Sequence, residues 1–194
     1  DNTYPSSGGQ LARTIRTAGK KVALELPDSI PGLTTMYDCF YGCEHLVSLE
    51  KIPSGVTSME ECFQGCTALT KAPVIPPSVN NMEHCFHDCK ALKEAPAIPS
   101  GVTDMDACFN SCIKLSQGPD IPSSVTNMRN CFKNCKVLER VKINRGYAGC
   151  NFYDAFKGCT VLEAGGIKVP PAQLSNYQNN ADFMGTTADR FAGF

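Results

Sequence analysis

Cysteine is the residue type best placed to do chemistry in this chain, with twelve in 194 residues. Ten of them form five C-F-x-x-C pairs: Cys39 and Cys43, Cys62 and Cys66, Cys85 and Cys89, Cys108 and Cys112, and Cys131 and Cys135. Such spacing is compatible with thiolate zinc ligation, with disulfides, or with a thiol nucleophile beside a base. The candidate bases are His45, His84 and His87, and two of them sit next to a pair, as His84–Cys85 and His87–Cys89. A zinc site would have to join two of the pairs, repeat down the chain and share its space with phenylalanine rings, and nothing hydrophilic accompanies it. The thiols fall on an apolar stripe and the histidines on polar columns that should face solvent, so the geometry for catalysis is absent. No catalytic residue, cofactor or metal ligand is assigned. Buried free thiols acting as small hydrophobes are the preferred reading. Disulfides between neighbouring repeats stay open as the alternative, because strand-side spacing of about 5 Å is near what an S–S bond needs.

The elements that position these pairs are repeats. Met36, Met59, Met82, Met105 and Met128 are spaced 23 residues apart, as are Phe40, Phe63, Phe86, Phe109 and Phe132 and Leu46, Leu69, Leu92, Leu115 and Leu138. A period in this range makes a solenoid, in which each unit buries its apolar face only against its neighbours. The fold class is therefore an α/β repeat solenoid. A sixth unit drifts by one residue: FYDAFKGC at 152–159 mirrors MYDCFYGC at 36–43, with Ala155 in place of the first cysteine. A column that accepts alanine holds a filler, not an obligatory ligand.

Within a unit, Met82, Cys85, Phe86 and Cys89 stand at i, i+3, i+4 and i+7, which predicts a short convex helix of about two turns. Thr57 with Glu60, and Thr103 with Asp106, have capping-box spacing, and Asn80 with Glu83 is a near equivalent. The half-unit after each leucine is extended, with strands kept short by Pro73, Pro96 and Pro119. Residues 1–10 read as a flexible lead-in, 11–35 as an N-terminal cap and first rung, 36–163 as the repeats, and 164–194 as a C-terminal cap. Helical pattern at Leu11 to Ala18 and strand alternation at Lys21 to Leu26 mark the N-terminal rung.

A formal charge of −1 and 42% hydrophobic residues describe an ordinary folded domain. Without a basic excess, nucleic acid is not a partner, and no apolar run is long enough for a membrane span. The sequence opens at Asp1 without a charged-then-apolar leader, which fits a mature or trimmed form. The columns expected on the concave face are Ser48, Lys71, Glu94, Gln117 and Arg140, two residues after each leucine, and Glu50, Pro73, Pro96, Pro119 and Lys142, four after it. Ser48, Lys71, Glu94, Gln117, Arg140 and Lys142 are the candidate partner-binding residues. Their alternating charges fit ligand specificity and fit a solvated cross-strand ladder equally well.

IPSGVTSMEECFQGCTAL (52–69) and IPSSVTNMRNCFKNCKVL (121–138) resemble the BspA-like, treponemal-type leucine-rich repeats of bacterial surface proteins. Here Met stands for the second Ile of that pattern and Cys for the Ala before Phe. LARTIRTAGKKVALELPDS (11–29) is similar to the family's N-terminal rung, and IKVPPAQLSNY (167–177) with ADRFAGF (188–194) to its closing segment. The resemblance implies a right-handed superhelix with short concave strands and an exported, surface-exposed protein. It implies adhesion to a host or neighbouring-cell protein or glycoprotein, by a monomer and without enzymatic activity. An envelope scaffold without a dedicated ligand, or a thiol redox or metal protein, are the alternatives.

Overall fold

The computed structural model describes residues 9–194, so most of the lead-in expected at 1–10 lies outside the described residues. Helix α1 (Gln10–Thr17) precedes strand β1 (Val22–Leu24). Strands β2 (Leu46–Leu49), β3 (Gln117–Ile121), β4 (Arg140–Ile143) and β5 (Ile167–Val169) follow. Helix α2 (Leu174–Asn179) and strand β6 (Phe191–Gly193) end the chain. All pairings are parallel: β1 with β2, and β3-β4-β5-β6 as one sheet. Single-residue bridges Ser48↔Lys71, Lys71↔Glu94 and Glu94↔Gln117 join the two groups. One residue column therefore pairs continuously from β2 to β4, although Pro73 and Pro96 prevent named strands between them.

A second parallel ladder runs through the residue before each methionine, Thr35↔Ser58↔Asn81↔Asp104↔Asn127↔Asn151. These side chains bond two residues ahead: Asp104 Oδ1 accepts from the Asp106 N–H at 2.8 Å, and Asn81 Oδ1 from the Glu83 N–H at 2.8 Å. The turn cap thus sits one residue later than the expected capping boxes. The threonines expected there do something else: the Thr57 and Thr103 hydroxyls donate to the carbonyls of Thr34 and Asn80 in the preceding rung.

The two-turn helix expected over Met82 to Cys89 and its equivalents is a run of turns. Asp38, Glu61, His84, Ala107, Asn130 and Asp154 all have φ between +48° and +55°, and the residue four further on is again left-handed. An α-helix cannot pass through such residues. Instead, local bonds such as the Cys85 N–H to the Met82 carbonyl (3.2 Å) alternate with bonds to the next rung, such as the Phe86 N–H to the Cys108 carbonyl (2.8 Å). The periodicity survives, because two successive four-residue turns also return every third or fourth side chain to the interior.

That interior is a set of stacked columns. Phe40, Phe63, Phe86, Phe109, Phe132 and Phe156 lie face to face with centroids 5.4–5.7 Å apart. Methionine, leucine, valine and cysteine columns pack around them, fully buried in the central rungs. Ala12 and Ile15 of α1 cover the first rung. At the other end the Phe183 and Met184 carbonyls accept from the Asp154 and Phe156 N–H groups, and Tyr177 of α2 seals the core against Phe152 and Phe191.

Candidate binding face

The strand ladder presents Ser48, Lys71, Glu94, Gln117 and Arg140 in register, one above another, and all but half-buried Ser48 are exposed. The second expected column needs correcting. Pro73, Pro96 and Pro119 are buried, and β3 carries a bulge that pairs Asp120, not Pro119, with Lys142. The extra residue turns each proline inward and sends the next side chain out. The outward column is Lys51↔Val74, then Asp120↔Lys142↔Lys168. Val74 is 69% exposed, an apolar side chain standing among charges.

Two open depressions lie on this face toward its N-terminal end. The larger, about 650 Å³, is lined in part by Glu25, Ser48, Glu50, Lys71 and Val74. The second, about 210 Å³, continues across Lys71, Val74 and Glu94. Together they form a shallow trough over the first four rungs.

The charges on the face divide into two kinds. Arg140 Nε donates to Glu163 Oε2 at 3.1 Å, which holds the guanidinium charge even more firmly. Lys142 lies 3.6 Å from Asp120 and 4.7 Å over the Phe194 ring, and Gln117 Nε2 donates to Glu139 Oε2 at 3.0 Å. Lys51 pairs with Asp28, which lowers that carboxyl and raises the lysine. Lys71 and Glu94, though in register, make no ion pair among the described residues. Of the six residues singled out from the sequence, the ladder thus collects five. It commits Arg140, Lys142 and Gln117 to neighbours and leaves Lys71 and Glu94 open in the trough.

The thiols are free among the described residues. The second cysteine of each pair has a definite partner: Cys66, Cys89, Cys112 and Cys135 donate Sγ–H to the Phe40, Phe63, Phe86 and Phe109 carbonyls at 3.0–3.2 Å, and Cys43 to the Ala12 carbonyl at 3.6 Å. Burial raises every resolved thiol, Cys39, Cys43 and Cys150 to about 11 and Cys159 to about 12. None is a thiolate at neutral pH, so none is an activated nucleophile. His84 and His87 are half-buried and not free in solvent, with their Nδ1 atoms 3.3 Å apart.

The model of the BspA type leucine rich repeat region matches residues 23–139 and 71–181 with six copies. This chain is a BspA-type leucine-rich-repeat protein. It is similar to a leucine-rich repeat protein from Bacteroides ovatus, at 25% identity and a TM-score of 0.61 over 77% of this chain. The match spans 40% of that protein's length. It also shares its fold with a T. pallidum leucine-rich repeat protein, at 23% identity and a TM-score of 0.52, covering 91% of this chain and 86% of the other. No curated protein gave a significant match.

The BspA-type frame explains what sequence reasoning passed over. Glu25 and Val74 line the trough beside Glu50 of the expected column, but Glu25 precedes the regular columns and Val74 falls between them. The Arg140–Glu163 pair was visible as one repeat step of 23 residues between opposite charges. The bulge behind Lys142 had only a subtler signal, the single residue missing between Leu138 and Ile143 relative to Leu115 and Ile121.

Proposed function

We propose that this domain is an exported binding module that takes a protein or glycoprotein partner of a host or neighbouring cell on its strand face. The trough at Glu25, Glu50, Lys71, Val74 and Glu94 is the contact region. Family membership supports a protein-interaction or surface role, and the rigid ladder supplies a pre-ordered surface that loses little entropy on binding. The observation that carries the assignment to this face is the pair Lys71 and Glu94, exposed and in register yet without ion-pair partners among the described residues, beside an exposed valine. Charged groups left free on such a face are available to a partner, and the exposed valine between them adds apolar area for it to cover. Arg140 and Lys142 are rim residues in this reading, already engaged by Glu163 and Asp120.

A pull-down from host-surface and matrix extract tests it with three chains: natural, Lys71→Ala/Glu94→Ala, and Arg140→Ala. The expected result is a partner retained by the natural chain and by Arg140→Ala and lost by the double variant. Equal retention by all three would remove the trough. The envelope-scaffold reading, favoured by the self-paired charges of the C-terminal rungs, would then lead.

A further inference from the structure

On the face opposite the strands, the third rung brings two imidazoles together. His84 and His87 are three residues apart within one run of turns, their rings meeting edge to face with Nδ1 to Nδ1 at 3.3 Å. Two nitrogens each about 2.0–2.1 Å from one tetrahedral ion are separated by roughly 3.3–3.4 Å, so the hydrogen-bonded pair already has the nitrogen spacing of neighbouring ligands. The backbone beneath is fixed: His84 and Asp88 are both left-handed, the His87 N–H donates to the His84 carbonyl, and the Asp88 N–H to the Asn110 carbonyl of the next rung.

From this we infer that His84 and His87 form a chelating site for a divalent transition metal ion of the imidazole-preferring class, Zn²⁺ or Cu²⁺. Two further observations support it independently. Asp88 Oδ2 lies 3.7 Å from His87 Nε2 while its Oδ1 faces Lys90 at 3.5 Å. A carboxylate there favours the tautomer with the proton on Nε2 and leaves the Nδ1 lone pair for a metal, the usual outer partner of a metal-bound histidine. In the same column one rung earlier, Gln64 Oε1 is buried and accepts no hydrogen bond; its neighbour Gly65 is bonded to the His87 carbonyl at 2.8 Å. The Gln64 oxygen is an unpartnered acceptor on the rung next to His87, which in this proposal takes its donor from a metal-bound water. Among the described residues no third His, Cys or carboxylate completes the set. Water therefore fills the remaining positions, and the site is exchangeable and open to a donor from a partner.

The test is titration of the natural chain with zinc chloride against a chromogenic chelator, repeated with copper(II) chloride and electron paramagnetic resonance. His84→Asn and His87→Asn are the variants, since asparagine already occupies those columns as Asn130 and Asn110. His45→Asn is the control, and circular dichroism checks each fold. One equivalent of metal should bind, with nitrogen hyperfine structure for copper. Either column variant should abolish the step, His45→Asn should leave it unchanged, and Asp88→Asn should weaken it about 10- to 100-fold. A natural chain that binds no zinc or copper overturns the assignment. So does a step of equal affinity in both column variants, which would place the ion on thiolates instead.

Discussion

Replacing Phe109 by alanine removes the middle of a continuous column of rings. Phe109 is 0% exposed and stacks on Phe86 at 5.6 Å and on Phe132 at 5.5 Å. Truncating a buried phenylalanine costs about 3–5 kcal/mol, and two lost ring contacts of roughly 0.5–1.5 kcal/mol each put this site at the upper end. Among the described residues Phe40 stacks on one ring, Phe63 at 5.4 Å, so Phe40→Ala should cost less by about one such contact. Urea unfolding followed by circular dichroism reads the difference. With a slope of roughly 2 kcal/mol/M, a loss of about 4 kcal/mol moves the midpoint by about 2 M. Phe109→Leu keeps most of the volume and isolates the stacking contribution. The double variant Phe86→Ala/Phe109→Ala should cost less than the sum of its singles by about 0.5–1.5 kcal/mol, since their shared contact is lost once. Equal costs at Phe40 and Phe109, together with additive singles, would refute the idea that ring-on-ring contact couples the rungs.

Two further outcomes concern the thiols. Because burial holds Cys39, Cys43 and Cys150 near 11 and Cys159 near 12, a disulfide reagent at neutral pH should label the native chain slowly and the urea-unfolded chain at all twelve positions. Their folded pKa values exceed the unfolded one, so this stability is complete below about pH 9 and is lost as pH rises toward 11–12, read as a falling urea midpoint. In the second outcome, Cys112→Ala should cost about 1 kcal/mol more than Cys108→Ala in the same unfolding assay. It removes the donor to the Phe86 carbonyl, whereas the Cys108 column already accepts Ala155.

What could be read from the residues follows from what repeats. A period of 23 exposes every buried column at once, so the solenoid, the free-thiol core and the ladder of Ser48, Lys71, Glu94, Gln117 and Arg140 were legible. The local path between columns was not. Met82, Cys85, Phe86 and Cys89 satisfy a helical period and a pair of four-residue turns alike, and the deciding fact is the sign of φ at His84 and Asp88. The column does carry a hint, since Asp38, Asn130 and Asp154 tolerate the left-handed region; Glu61, His84 and Ala107 disguise it. The His84–His87 contact was hidden for the same reason, because helical reasoning set both rings out in solvent. Which charges are free was legible only in part: Arg140–Glu163 and Lys71–Glu94 share the same 23-residue step between opposite charges, and side-chain reach between rungs closes the first pair and, among the described residues, not the second.

The run of turns has one more effect, which is electrical. In each rung four N–H groups of this segment point the same way, toward the C-terminal neighbour: those of Met82, His84, Phe86 and Asp88, for example, reach the Asp104, Asp106, Cys108 and Asn110 carbonyls. Unlike a β-ladder, whose bonds alternate in direction, this row sums its peptide dipoles as a helix does, but along the stacking axis and across separate rungs. The sense is carbonyl toward the N-terminal end, giving that end partial negative charge and the other partial positive. The N-terminal end carries the complementary ion: Arg16 of α1 donates Nη1 to the Tyr41 carbonyl at 2.6 Å in the first rung. In the last rung the Asp154 carboxylate is held by Lys133 and Lys157 instead. The solenoid is thus a polarised rod, and each added rung lengthens the dipole without changing the ends.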